Sequence, residues 1–488
     1  MLEAWKTRWK QPSMAINILF LLIVLTDAYS NRKQIQTVFK AENRTINFTH
    51  VAYDHVTGRI YVGAINRLYQ LNSSLDMEMK VITGPEQDSV RCPATGCTDS
   101  TITLRTTSNI NKLLVIDHHN EHLIVCGTIR QGACRTHQLN NIQISGQLTR
   151  FPVVANDKNS TTYAFIAPAT YMPHEKRALY VGATITKLGT YRDLIPAICS
   201  RSLVNDPVEM LQTIDNSITV SARMEINRLY RDYFIVYYKY GFHSNGFAYF
   251  ATVQRKSHLR DLEEEGYISR LSRVCVSDAE YKTYTEVTLQ CFGADGTYYN
   301  LLQDASVVKA GSSLASEFNI PNGGDVFVGV FAKSHDHTIT PENLSAICVY
   351  SVADIEQKFN ENIHTCYNGT SRTRNMAYIA GSVNQCPEPG EHMSFIEKYK
   401  EKSISHADCL YKFPSLPSIL RFYKYSMEQR ALLMTGFTDK ESTVLECQKK
   451  EGIEGRRSCG DGVGGGFRHR PSTQGGKEVD RKELLENN

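Results

Sequence analysis

The chain has 488 residues, with 54 Lys+Arg against 51 Asp+Glu and a net charge of +3. A surface this evenly balanced offers no electrostatic case for nucleic acid or an anionic membrane. Hydrophobic residues at 41% and charged residues at 22% exclude wholesale disorder, and thirteen cysteines exceed what an ordinary cytosolic chain carries.

Residues 1–28 have the pattern of an export signal. Lys6, Arg8 and Lys10 form a positive start, Ala15 to Leu25 is almost wholly apolar, and Thr26-Asp27-Ala28 supplies small residues for cleavage. The rival reading is an uncleaved anchor, but the apolar run is short for a bilayer. No later stretch reaches eighteen apolar residues, so the expected location of the mature chain is extracellular. Six N-x-S/T sequons agree with export: Asn43, Asn47, Asn72, Asn159, Asn343 and Asn368. The close pairs Cys92/Cys97 and Cys126/Cys134 fit no zinc spacing well, and in an oxidising compartment they read as disulfides.

Further along, one module recurs: a strand, a polar turn and a second strand ending near Gly. It appears as Val51-Ala52-Tyr53-Asp54 with Ile60-Tyr61-Val62-Gly63, then as Leu114-Val115-Ile116-Asp117 with Leu123-Ile124-Val125-Cys126-Gly127. Phe165-Ile166-Ala167 with Leu179-Tyr180-Val181-Gly182 follows, and looser copies surround Phe247-Ala248-Tyr249-Phe250 and Val326-Phe327-Val328-Gly329. Spacings of this size suit four-stranded antiparallel sheets with generous loops, and sheets that must stack to bury both faces make an all-β propeller. A string of immunoglobulin-like sandwiches is the rival. It usually needs a buried core Trp, whereas Trp5 and Trp9 both lie in the export signal. Helix is scarce up to residue 350, and a good candidate follows at Ser351 to His364, with Val352, Ile355, Phe359 and Ile363 on one face and Ser351 at its cap. The charged segment Arg255 to Gly266 reads as a solvated excursion.

Catalytic patterns are missing from the sequence. Gly241-Phe242-His243-Ser244-Asn245-Gly246 is one residue too long for a nucleophile elbow, and His174-Glu175 lacks the second His of a zinc-protease helix. His335-Asp336-His337 reads as a loop tip in place of a metal site. Gly323-Gly324 and Asp295-Gly296 read as turns. The expectation is a binding scaffold with no cofactor, no metal and no small-molecule substrate.

Tyr61-Val62-Gly63-Ala64-Ile65-Asn66-Arg67-Leu68-Tyr69-Gln70-Leu71 closely resembles the first-blade signature of the plexin sema domain. Further matches follow in order: Thr83-Gly84-Pro85 before Cys92, Asn111 to Asp117, Cys126-Gly127, and Gln131-Gly132-Ala133-Cys134. Ser200-Arg201-Ser202-Leu203, Arg273-Val274-Cys275, Ser345-Ala346-Ile347-Cys348 and Cys366-Tyr367-Asn368-Gly369 continue the series. The stretch Ala164 to Leu203 is most similar to invertebrate class A plexins, with class B left open.

This resemblance implies a sema-type seven-bladed β-propeller over residues 31–386, with an incomplete seventh blade. It implies the disulfides Cys92–Cys97, Cys126–Cys134, Cys275–Cys386 and Cys291–Cys348, and leaves Cys199 as the candidate free thiol. It also implies semaphorin as the partner, sema domain to sema domain, in cell and axon guidance, with receptor self-association as a further implication. Family contacts concentrate near residues 190 to 260. There Asn216 to Arg223 reads as an exposed edge strand, with Asn216, Thr219 and Arg223 as candidate partner-binding residues.

Residues 387–488 depart from the family pattern. Ser418 to Thr435 is expected to be helical, between Pro417 and Gly436. Residues 451–488, with nine glycines in 38 residues, have a disordered composition. Cys409 is a stand-in partner for Cys366, while Cys447 and Cys459 fit no PSI spacing. Three readings follow: the ligand-binding region of a semaphorin receptor whose parent is a single-pass membrane protein, a secreted decoy that sequesters semaphorin, and a propeller enzyme.

Overall fold

The computed structural model describes residues 37–42, 46–172, 176–189, 194–217, 220–257, 266–281, 283–367 and 434–435. The export signal, His174-Glu175, most of the segment 255–266 and nearly all of 368–488 lie outside these residues.

Five sheets follow one another along the chain. The first is β1 (Phe48–Tyr53), β2 (Ile60–Ala64), β3 (Arg67–Leu71) and β4 (Met77–Ile82), paired in that order. A two-stranded ribbon, β5 (Glu86–Asp88) and β6 (Arg105–Thr107), leads to a three-stranded sheet of β7 (Asn111–Asp117), β8 (His122–Gly127) and β9 (Cys134–Gln138). The third sheet pairs β10 (Thr162–Pro168), β11 (Arg177–Ala183), β12 (Ile198–Arg201) and β15 (Arg223–Met224), while β13 (Asp215–Ser217) and β14 (Val220–Ser221) form a hairpin of their own. The fourth is β16 (Val236–Ser244), β17 (Phe247–Arg255), β18 (Tyr267–Cys275) and β19 (Thr285–Leu289). The fifth is β20 (Leu301–Lys309), β21 (Asp325–Ser334), β22 (Pro341–Ser351) and β23 (Met434–Thr435). Two helices, α1 (Ser312–Phe318) and α2 (Val352–Tyr367), complete the described elements.

All the pairings are antiparallel between sequence neighbours, apart from the jumps to β15 and β23. The first strands of consecutive sheets, β1, β7, β10, β16 and β20, lie against one another. That is the arrangement of propeller blades around an axis. Each of the five recurring modules read in the sequence falls on a different blade. The described residues hold five blades; the expected count of seven and the incomplete seventh blade fall outside them.

The core lies between blades. Tyr61 and Leu68 of the first pack with Leu114 and Leu123 of the second, and Leu113 and Ile124 pack with Leu179 and Val181 of the third. Tyr180 meets Tyr238 and Phe250 of the fourth, and Phe242 and Tyr249 meet Phe327 and Phe331 of the fifth. Full burial of each such side chain stabilises by about 1.5–3 kcal/mol, so each blade depends on its neighbour. Backbone proximity requires space at these contacts. A Cβ on Gly63 would lie 2.4 Å from Asn111 Oδ1, and one on Gly182 would lie 2.3 Å from Tyr238 Cδ1. In the first and third blades, the glycine near the end of the second strand is therefore a point of close approach by the next blade's first strand.

Helix α2 forms where its apolar spacing placed it. Ser351 Oγ accepts the Asp354 N–H at 3.1 Å, an N-cap interaction, and Val352, Ile355, Phe359 and Ile363 are buried. Arg273 of β18 holds the helix to the fourth blade. Its guanidinium lies 4.2 Å from the Phe247 ring centre and 4.5 Å from that of Phe359. It also pairs with Glu356 and donates to Asn360 Oδ1 at 3.1 Å.

Two expectations need correction. Met434 and Thr435, expected to end a helix, pair as β23 with Ile347 and Ala346 of β22. The outer side of β22 offers an unpaired backbone ladder, and hydrogen bonding to it outweighs the weak local helix preference; the rest of that expected helix lies outside the described residues. Helix α1 was not anticipated, because seven residues are too few to show a helical period.

Candidate binding surface

The region 190–260 spans the outer part of the third blade and the first half of the fourth. Its inner support is Arg201 at the end of β12, only 2% exposed. Arg201 donates to the Leu211 carbonyl at 2.9 Å and to the Pro152 carbonyl at 3.1 Å, tying the segment after β12 to the connection between blades. Backbone bonds continue this anchoring: Ser202 N–H to Gln212 O at 2.9 Å, Ile214 N–H to Ser200 O at 3.0 Å and Ala222 N–H to Ile214 O at 2.9 Å.

The single edge strand expected from Asn216 to Arg223 is broken in two. Asp215 pairs with Ser221 and Ser217 with Val220 in the hairpin, whereas Arg223 pairs with Cys199 at the edge of the third blade. Between them Ala222 is fully buried in the same core as Ile214. Its burial pins the chain at that point, so the residues before it pair with each other as a hairpin and cannot continue the blade edge. Asn216 lies in β13, Thr219 lies outside the described residues, and Arg223 is exposed. Arg223 Nε is 3.3 Å from Glu225 Oε1. An ion pair this accessible adds little stability and leaves the guanidinium open to a partner. The same stretch exposes Leu194, Val208 and Leu229, apolar contacts that a search for polar alternation passes over.

The cysteines divide as follows. Cys92–Cys97, Cys126–Cys134 and Cys291–Cys348 are bonded, and the last joins the end of the fourth blade to β22. Cys275 is also disulfide-bonded, while Cys386, its expected partner, lies outside the described residues, as do Cys409, Cys447 and Cys459. Cys366 falls within α2. Cys199 is a free, buried thiol, and burial pushes its pKa up, which makes it unreactive. Of the sequons, Asn47, Asn159 and Asn343 are exposed, and Asn72 is half-buried with its Oδ1 accepting from the Ser74 and Asp76 backbone at 2.9 Å each. Asn43 and Asn368 lie outside the described residues.

The remaining motifs are structural. Ser244 is buried and donates to Asp325 Oδ2 at 2.7 Å, and Asn245-Gly246, both at positive φ, form the β16–β17 turn. His335-Asp336-His337 sits at the tip between β21 and β22, with His335 Nδ1 3.0 Å from Asp336 Oδ2 and both side chains well exposed. Sequence reading passed over a different cluster, Asp54, His55 and His118. The signal was present: the dipeptide Asp-His closes the first strand of both the first and the second blade, at 54–55 and 117–118.

The Sema domain family model matches residues 302–405. Human Plexin-A2 is 31% identical over 396 residues, which cover 78% of this chain and 20% of that protein. Mouse Plexin-A2 is 31% identical over 363 residues, covering 72% of this chain and 19% of the relative. The solved Plexin A4 extracellular region superposes with a TM-score of 0.63 at 26% identity, covering 72% of this chain and 39% of that one.

The chain carries a plexin-type sema domain.

The chain spans about one fifth of the length of the curated plexins it matches. No described helix is long and apolar enough to cross a membrane.

Proposed function

We propose that this chain is the semaphorin-recognising, extracellular region of a plexin-type receptor, acting in guidance signalling at the cell surface. The observation that carries the reading is the plexin-type sema propeller itself, whose sequence signature and blade order agree with plexins over most of the chain. Bonded cysteines and exposed sequons on Asn47, Asn159 and Asn343 support an oxidising, extracellular setting.

Recognition is assigned to the outer part of the third blade, with Asn216 of the hairpin, the exposed Arg223, and Thr219 as a further candidate contact. Anchoring by Arg201 holds this surface in place before a partner arrives, which lowers the ordering cost of binding. The test displays the chain on cells and adds dimeric semaphorin ectodomains, one family member at a time. Saturable binding of at least one, weakened by Thr219→Arg or Arg223→Glu, is expected. Absence of binding to all of them contradicts the proposal, and binding untouched by either substitution contradicts the placement.

A further inference from the structure

We propose that Asp54, His55 and His118 form a binding site for a divalent transition-metal ion of the Zn²⁺ class, clamping the first blade to the second. Asp54 directly follows β1 and His118 directly follows β7, two first strands that lie side by side. One donor atom from each of the three residues lies within 4.8 Å of the other two. His118 Nε2 is 3.6 Å from Asp54 Oδ1, and the His55 and His118 rings meet edge to face at 5.1 Å. Two imidazoles and a carboxylate are the donor set that suits Zn²⁺ and its neighbours, while Mg²⁺ and Ca²⁺ prefer all-oxygen shells.

Two of the donors are held in advance. Asp54 is nearly inaccessible. Its Oδ1 accepts the Val56 N–H at 2.9 Å and its Oδ2 accepts the Thr57 hydroxyl at 2.5 Å. Oδ1, the oxygen that faces His118, also accepts the Thr57 N–H in a long bond of 3.4 Å, the one a metal would displace, while Oδ2 keeps acceptor capacity. The turn carrying His118 is fixed from below by Asp117. That carboxylate accepts the His119 N–H at 3.2 Å and the Asn120 amide at 3.0 Å, and pairs with Arg177 of the third blade. Asn120 also donates to the Leu203 carbonyl at 2.7 Å. His55 is exposed, so its ring can swing toward His118 without disturbing the core. Metal–ligand bonds of about 2.0–2.2 Å require only that closing movement, with a fourth position left to water.

The test uses the purified full chain, stripped with a chelator, at a pH where imidazole is neutral. Co²⁺ is the spectroscopic probe and Zn²⁺ the competitor. One equivalent of Co²⁺ should give a visible d–d spectrum that Zn²⁺ displaces, and Zn²⁺ should raise the thermal midpoint. His55→Gln and His118→Gln should lose both effects and keep the metal-free midpoint of the parent chain, whereas His335→Gln should keep both effects. No spectrum in the parent chain overturns the proposal. A spectrum that survives His55→Gln, or one lost in His335→Gln, overturns it equally.

Discussion

Asp117 and Arg177 form an ion pair between the second and third blades, with the carboxylate only 1% exposed. The same position one blade earlier is held by Asp54, which faces His118 of the following blade. In both cases the acid at the C-terminal end of a first strand, Asp117 within it and Asp54 just past it, accepts from its own turn, from the His119 N–H or the Val56 N–H, and also meets a cationic or ionisable group on the next blade. The turn and the blade contact are thus one unit.

Removing the cation from that unit leaves a buried carboxylate. Arg177→Ala should lower stability by about 3 kcal/mol, the usual cost of stranding one partner of a buried pair. Asp117→Asn, which keeps hydrogen-bonding oxygen at the turn, should cost less. Denaturant unfolding of the two variants measures the difference, and equal losses would mean that the pair contributes nothing beyond the turn.

Blade spacing depends on absent side chains. Gly182→Ala places a methyl group 2.3 Å from the Tyr238 ring and should cost about 1–3 kcal/mol through overpacking. Gly311→Ala, which meets nothing within 4 Å, should leave the unfolding midpoint nearly unchanged. A similar small effect at both positions would show that the blades adjust freely.

The Cys291–Cys348 bond closes a separation of 57 residues. Replacing both cysteines by Ser should reduce stability by about 2–4 kcal/mol, seen as a lower urea midpoint with the circular dichroism of the folded chain unchanged.

Acid should weaken the second blade. His137 is 4% exposed, and its Nδ1 lies 2.6 Å from the Ile142 carbonyl, so that nitrogen carries the proton of a neutral ring. Burial holds its pKa below the usual 6.5. The unfolded chain therefore takes up a proton at a pH where the folded chain does not. This contribution is complete above pH 6.5 and is lost as pH falls from there through the folded value. Thermal midpoints from pH 7.5 to 5.5 should fall, and His137→Gln should flatten that slope. A slope that is identical in the variant would remove His137 from the account.

Blade order was legible in the sequence because each module pairs a first strand with a glycine-closed second strand, and both periods survive in residues such as Tyr61-Val62-Gly63 and Tyr180-Val181-Gly182. Helix α2 was legible for a related reason: Ile355, Phe359 and Ile363 share one face. The edge around Arg223 was not. Alternation of polar and apolar residues from Asn216 onward fits one strand as well as two, and only the burial of Ala222 against Ile214 decides between them. The Asp54–His118 contact was hidden because its members lie 64 positions apart and only the stacking of β1 on β7 brings them together.

If the proposed third-blade surface receives a semaphorin, amide hydrogen exchange on the chain with and without a bound semaphorin ectodomain should locate it there. Exchange should slow across the hairpin β13–β14 and the neighbouring β15, with the first and fifth blades unchanged. Protection confined to the first or fifth blade, with none at β13–β15, would contradict it.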